Sequence, residues 1–243
     1  MSPPRVRMRD ERGGGPYGGE GGGVSGAYSS ASRTRIVTAA DDYVGDVLVE
    51  GERVTLIGAS LDVPADKVID ATGKYVIPGG IDAHTHMQLP FGGTAAIDTF
   101  ETGTTAAAWG GTTSIIDFAV QTYGQRVEDG LAHWHELAAG NCAIDYGFHQ
   151  IIGGVDEESL KAMETLVDEG ITSYKLFMAY PGVFYSDDAQ ILRAMQKARE
   201  LGLLTMMHAE NGPAIDVLAA QLAESGKTAP YFHGIARAWQ MEE

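Results

Sequence analysis

The sequence has one cysteine, Cys142, in 243 residues. That count excludes a disulfide framework and a cysteine-built zinc site. Cations are scarce as well: 17 Lys and Arg face 33 Asp and Glu, a formal charge of −16. Binding a phosphate backbone needs clustered cations, so no nucleic acid is expected as a partner. An anionic membrane surface is disfavoured on the same ground. No apolar run reaches the roughly 18 residues that a membrane helix needs. Basic residues near the N-terminus have no apolar stretch behind them, which is not the pattern of a secretory signal. A reducing cytoplasm is the expected compartment.

What the sequence has in excess is glycine, and its placement is uneven. Of 32 glycines, nine fall in residues 1–30. This stretch has no apolar period and cannot bury a core, so it is expected to be a disordered tail. A phosphate loop is ruled out there, because no Gly-Lys-Ser/Thr ending follows and no strand precedes. Residues 31–78 are expected to form a small β domain. Val44–Val49 and Arg53–Gly58 are β-rich runs around a glycine turn, the pattern of a hairpin.

From residue 79 onward short apolar runs alternate with helical ones. Strands are expected over 80–84, 112–118, 143–151, 173–178 and 203–208. Helices are expected over 127–139, 157–169, 187–201 and 214–224. Strands separated by single helices imply a parallel sheet. Five βα units fit either an open doubly wound sheet or part of a (βα)8 barrel, which would need three more units.

The strongest chemical signal is Ile81-Asp82-Ala83-His84-Thr85-His86. On an extended chain, side chains two apart share a face, so both imidazoles can reach one metal ion. His133 and His135 have the same spacing in a helical pattern, where they diverge by about 200° and cannot chelate together. They are assigned to packing or solvent. His149 is expected to be a core histidine, and His233 is given no role in its irregular region. Lys175 lies inside an apolar strand, where a cation is costly unless paired. Burial would favour its neutral, nucleophilic form, able to take up carbon dioxide as a carbamate. His208 ends the last apolar strand. His84, His86, Lys175 and His208 thus all fall at or near strand ends on one rim, where barrel enzymes place their ligands.

Pro78-Gly79-Gly80-Ile81-Asp82-Ala83-His84-Thr85-His86 resembles the metal signature of the cyclic amidohydrolases. The runs 110–118, Lys175-Leu176-Phe177-Met178-Ala179-Tyr180 and His208-Ala209-Glu210-Asn211 resemble the dihydropyrimidinase/hydantoinase branch. The resemblance extends from about Thr34 to the end of the chain. It implies a β-sandwich domain and a metal-dependent (βα)8 TIM barrel, here cut to about five βα units over 79–243. It implies two divalent metal ions, usually zinc, with His84 and His86 on one, His208 on the other and Lys175 bridging as N6-carboxylysine. Tyr180 would stabilise the oxyanion, and Leu89, Phe177 and Phe184 would line the pocket.

The implied reaction is hydrolytic opening of cyclic amides, dihydropyrimidines or hydantoins, to N-carbamoyl amino acids by a homo-oligomer, a dimer or tetramer. The family's remaining histidine and aspartate ligands would lie beyond Glu243. The chain is therefore expected to be an N-terminal half that is inactive alone. Two other classes remain open, an inert fragment and a non-enzymatic scaffold relative of the same fold. Allantoinase and dihydroorotase are neighbours within the enzymes.

Overall fold

A computed structural model describes residues 27–51 and 53–242. The expected glycine-rich tail falls, for residues 1–26, outside the described residues. The chain divides into two compact units. One runs to Ile81 and includes Trp109–Thr113; the other comprises Asp82–Ala108 and Ser114–Glu243.

The first unit holds one sheet. Strands β1 (Ala27–Val37), β2 (Asp42–Glu50) and β3 (Arg53–Gly58) form an antiparallel meander, with β2 in the middle. Two strands of two residues each, β4 (Lys67–Val68) and β5 (Tyr75–Val76), pair in parallel with β1. The hairpin expected around the 50–52 turn is present as β2 and β3. Strand β1 begins earlier than expected, inside the segment assigned to the tail. There the backbone of Ala27–Ser30 pairs with Val47–Glu50. A ladder of main-chain hydrogen bonds is available to any non-proline residue, so composition alone conceals it. Ile36, Val47 and Val49 form a small core with Val76 against it.

A second sheet follows the order β12-β11-β10-β9-β6, where β6 is Gly80–Thr85, β9 Thr112–Val120, β10 Asp145–Ile151, β11 Ser173–Phe177 and β12 Leu204–His208. Its pairings from β9 through β12 are all parallel. Each strand is followed in the chain by a helix: α1 (Phe100–Trp109), α2 (Val127–Ala138), α3 (Glu157–Asp168), α4 (Asp188–Leu201) and α5 (Gly212–Glu224). A small hairpin, β7 (Pro90–Phe91) and β8 (Thr94–Ala95), interrupts the path from β6 to α1. Helix α6 (Pro230–Ala236) and a 3-10 turn, Trp239–Glu242, end the described chain. Among the described residues no helix is long and apolar enough to cross a membrane.

The helices start where their sequences provide caps. Asp156 accepts from the Ser159 amide at 2.8 Å, and Asp187 and Gln190 form a reciprocal capping box. Asn211 caps α5, with a proline in the first turn. Helix α4 stops at Gly202, whose φ of 73° is the left-handed conformation that glycine adopts without steric cost. On α2, Val127, Leu131, Trp134 and Ala138 are buried, a spacing that places them on one helical face. They join Phe118, Ile151, Leu166, Tyr174 and Leu176 in one core.

Three elements were not anticipated. Helix α1 carries three threonines and Gly103, which are poor helix formers. Its Gly103 faces Met87, and a Cβ there would lie 2.3 Å from the sulfur. The β7–β8 hairpin was likewise unforeseen. Helix α6 carries His233, which is therefore helical and exposed rather than in an irregular region.

Gly130 tests the closeness of α2 to β9. A Cβ at this position would lie 2.5 Å from the Val120 carbonyl oxygen. Alanine is the better helix former by about 1 kcal/mol, so an unhindered site would gain stability. Gly130→Ala is expected instead to destabilise by roughly 1–3 kcal/mol, read from the urea unfolding midpoint.

Candidate active site

Strand β6 ends at His84-Thr85 with His86 just beyond it, and alternation along this extended chain turns both imidazoles to one face. The two Nε2 atoms approach to 3.3 Å. That separation is about the edge of a tetrahedron with bonds of 2.0–2.1 Å, so both nitrogens can serve one ion of zinc's size. His86 Nδ1 is buried and has no hydrogen-bond partner among the described residues. The floor beneath the pair is the ring of Phe118 on β9, 4.5 Å from the His84 ring and 4.8 Å from that of His86.

Lys175 enters the same space from β11. Its side chain is buried, and its Nζ lies 4.7 Å from the Phe118 ring and 4.9 Å from that of Phe177. Among the described residues it makes no hydrogen bond or ion pair. Burial lowers its pKa from the ordinary amine value. The histidines are shifted in the same sense. Burial, then the Lys175 charge and that of His84, push His86 down to about 4. Burial and the charges of Lys175 and His149 also lower His84, against a small opposing effect of Asp82. Burial thus works against the charged form at all three groups, and nitrogen donors biased in this way fit a divalent cation.

His208 ends β12 one strand over. Its ring stacks on Phe177, with centroids 5.6 Å apart, and Phe177 is also the ring under Lys175. Its Nε2 pairs with Glu210 Oε2 at 2.5 Å, and Glu210 in turn bonds Arg237. His208 therefore shares the aromatic wall with Lys175 but does not reach the His84–His86 pair. Among the described residues no three His, Cys, Asp or Glu side chains gather into a metal cluster. His149 behaves as a core histidine. Its Nε2 bonds the Ala83 carbonyl at 2.9 Å and its Nδ1 the Ser173 hydroxyl. His135 lies against Phe148, 5.0 Å between centroids, and His133 is exposed.

Tyr180 follows β11 in the left-handed region, φ 60°, a conformation costly for a residue with a Cβ. Its ring is surrounded by Phe177, Phe91 and His208, with centroids at 5.9, 4.9 and 5.2 Å, and by the Arg237 guanidinium at 5.3 Å. Phe184 stacks on Phe177 at 5.0 Å. Leu89 packs against the main core, half-buried. Sequence reasoning missed Phe91, Glu210, Arg237 and Asp117. Arg237 is remote in sequence from every motif, and Phe91 follows the His84–His86 motif by five residues without any pattern that marks it. Asp117 and Glu210 sat inside quoted motifs, yet nothing in their spacing says what they touch.

The low His86 value gives a pH dependence. A histidine kept neutral in the fold and free to protonate when unfolded makes the unfolded state bind more protons. Metal-free protein should be at full stability above pH 6.5, lose it as pH falls towards 4, and lose no more from this group below that. Chemical denaturation across this range should show the slope, and His86→Gln should flatten it.

The amidohydrolase family profile matches residues 75–233. The chain is similar to the D-hydantoinase of Streptomyces coelicolor, 61% identical over 208 residues, which are 83% of this chain and 44% of that one. It is 39% identical to the dihydropyrimidinase of Rattus norvegicus, covering 81% of this chain and 40% of the relative. The crystal structure of dihydropyrimidinase from Brevibacillus agri NCHU1002 superposes with a TM-score of 0.85 at 45% identity, covering 89% of this chain and 47% of that one. The chain thus spans less than half the length of these relatives. The profile match takes in more than half of the residues, among them His84, His86, Lys175 and His208, and the chain belongs to the amidohydrolase family.

Proposed function

We propose that this chain supplies the first part of a hydrolase that opens cyclic amides, dihydropyrimidines or hydantoins, to N-carbamoyl amino acids. The observation that carries the proposal is the convergence of His84, His86 and the unpaired amine of Lys175 over one aromatic floor. Relatives named D-hydantoinase and dihydropyrimidinase support it. On this proposal the first unit is part of a β-sandwich and the parallel sheet is the opening part of an eight-stranded barrel. The protein is a homo-oligomer in the cytoplasm.

His84 and His86 would hold one divalent metal ion, zinc by preference, and His208 a second. Such a pair, when bound, lowers the pKa of water and polarises a carbonyl. Lys175 would join them as N6-carboxylysine. Its neutral Nζ adds to carbon dioxide, forming one N–C bond and losing a proton, and an anion replaces a potential cation. His208 is prepared for its part by Glu210, because a carboxylate on one ring nitrogen fixes which nitrogen keeps its lone pair. Tyr180 would donate its hydroxyl to the carbonyl oxygen as negative charge develops there. The aromatic cluster of Phe177 and Phe184, with Leu89 nearby, would exclude water and hold the ring substituent.

Elemental analysis and ring-opening assays test this. Lys175→Ala should lose tightly held metal, and short carboxylic acids should restore part of it. Retention of the wild-type metal content would overturn the role of Lys175. Tyr180→Phe should lower kcat by roughly 10²–10³ with little change in KM, the usual cost of one oxyanion donor. That assay follows loss of ultraviolet absorbance on a chain spanning the relatives' full length.

A further inference from the structure

Asp117 is fully buried, and both of its carboxylate oxygens are occupied. Oδ2 accepts from the Thr85 hydroxyl at 2.7 Å and from the Met87 amide at 2.8 Å. Oδ1 accepts from the Trp134 indole N–H at 3.2 Å. Burying a carboxylate is costly, and these bonds only partly offset the upward push on its pKa. A neutral side chain would fill the same space at less cost, so the charge calls for an explanation beyond packing.

Alternation provides it. On β9, Phe118 faces the histidines, so its neighbour Asp117 faces the other way, towards Trp134 of α2. On β6, Thr85 lies between His84 and His86 and also faces the other way. The carboxylate therefore grips the backside of the strand at the residue between the two imidazoles. The ladder of β6 ends at Thr85, so the amide of Met87 lies beyond it. Asp117 takes that amide and carries the extended conformation through His86. Only while residues 84–86 stay extended do the two imidazoles share a face.

We infer that Asp117 is a positioning residue, whose hydrogen bonds to Thr85 and Met87 hold His84 and His86 convergent over Phe118. The inference deepens the proposed metal-binding role of this pair and rests on it for one of its two tests.

The carboxylate's two sides separate positioning from general stability. Thr85→Val keeps the shape and removes one bond on the histidine side. Trp134→Phe removes the bond on the helix side. In the metal-free full chain, nuclear Overhauser contacts from the His84 and His86 rings to Phe118 should persist in Trp134→Phe and weaken or vanish in Thr85→Val. In cobalt(II) titrations, Thr85→Val should bind roughly 10–100-fold more weakly, the usual loss for an outer partner of a ligand. Trp134→Phe should stay within about threefold of wild type, whatever its unfolding midpoint.

Asp117→Asn sets an amide N–H against the indole N–H. It should lose affinity alone and regain it when combined with Trp134→Phe, which frees the amide to turn its oxygen to Thr85 and Met87. This pair of variants decides the matter by the same readouts if Thr85→Val does not fold. Ring contacts and cobalt affinity unchanged in Thr85→Val, or equal losses in Thr85→Val and Trp134→Phe, would overturn the inference. A wild-type chain that binds no cobalt would overturn the proposed metal site, and the ring contacts would still decide the role of Asp117.

Discussion

The candidate site is organised around an amine buried, among the described residues, without a counter-charge. Lys175 Nζ rests between the faces of Phe118 and Phe177, and its own burial works against its charge. Ring faces attract a cation by on the order of 1–2 kcal/mol, much less than the desolvation of an isolated ammonium. The environment therefore shifts the amine towards its neutral form. The same charge depresses His84 and His86, so the three nitrogens disfavour protonation together. A site that resists protons while presenting lone pairs is prepared for another cation.

Phe118 links these groups. Its ring touches His84, His86 and His149 and lies beneath Lys175. One apolar side chain thus sets the depth at which side chains from β6, β10 and β11 meet. The opposite side of the same strand carries the polar counterpart, Asp117, which grips β6 from behind. Adjacent residues of one strand thus act on opposite faces of the sheet.

The second half of the site is built differently. Tyr180 sits in a left-handed conformation just after β11, where the Phe184 and Val183 amides bond back to its carbonyl oxygen at 3.2 and 3.0 Å. The turn carries its strain because the ring is held among Phe91, Phe177 and His208. Arg237 over that ring also reaches Glu210, and Glu210 reaches His208. The ring of Tyr180 and the orientation of His208 are therefore tied to the same guanidinium, which comes from just beyond α6.

Local pattern determined much of this protein. The His-x-His face follows from the period of two of an extended strand, and the parallel sheet from the alternation of apolar strands with helices. The character of Lys175 follows from one charge in an apolar run, and the failure of His133 and His135 to chelate follows from the helical period. These depend on neighbours in sequence, which composition and spacing describe. Helix α1 did not follow, because its three threonines and Gly103 are helical only through packing. The engagement of His208 by Glu210, the closing of Phe91 on Tyr180 and the grip of Asp117 on Thr85 were also beyond reach. Each is a contact between side chains whose directions are set by strand register, turn geometry and helix packing. Spacing gives the face on which a residue lies; only the tertiary fold brings a second residue to meet it.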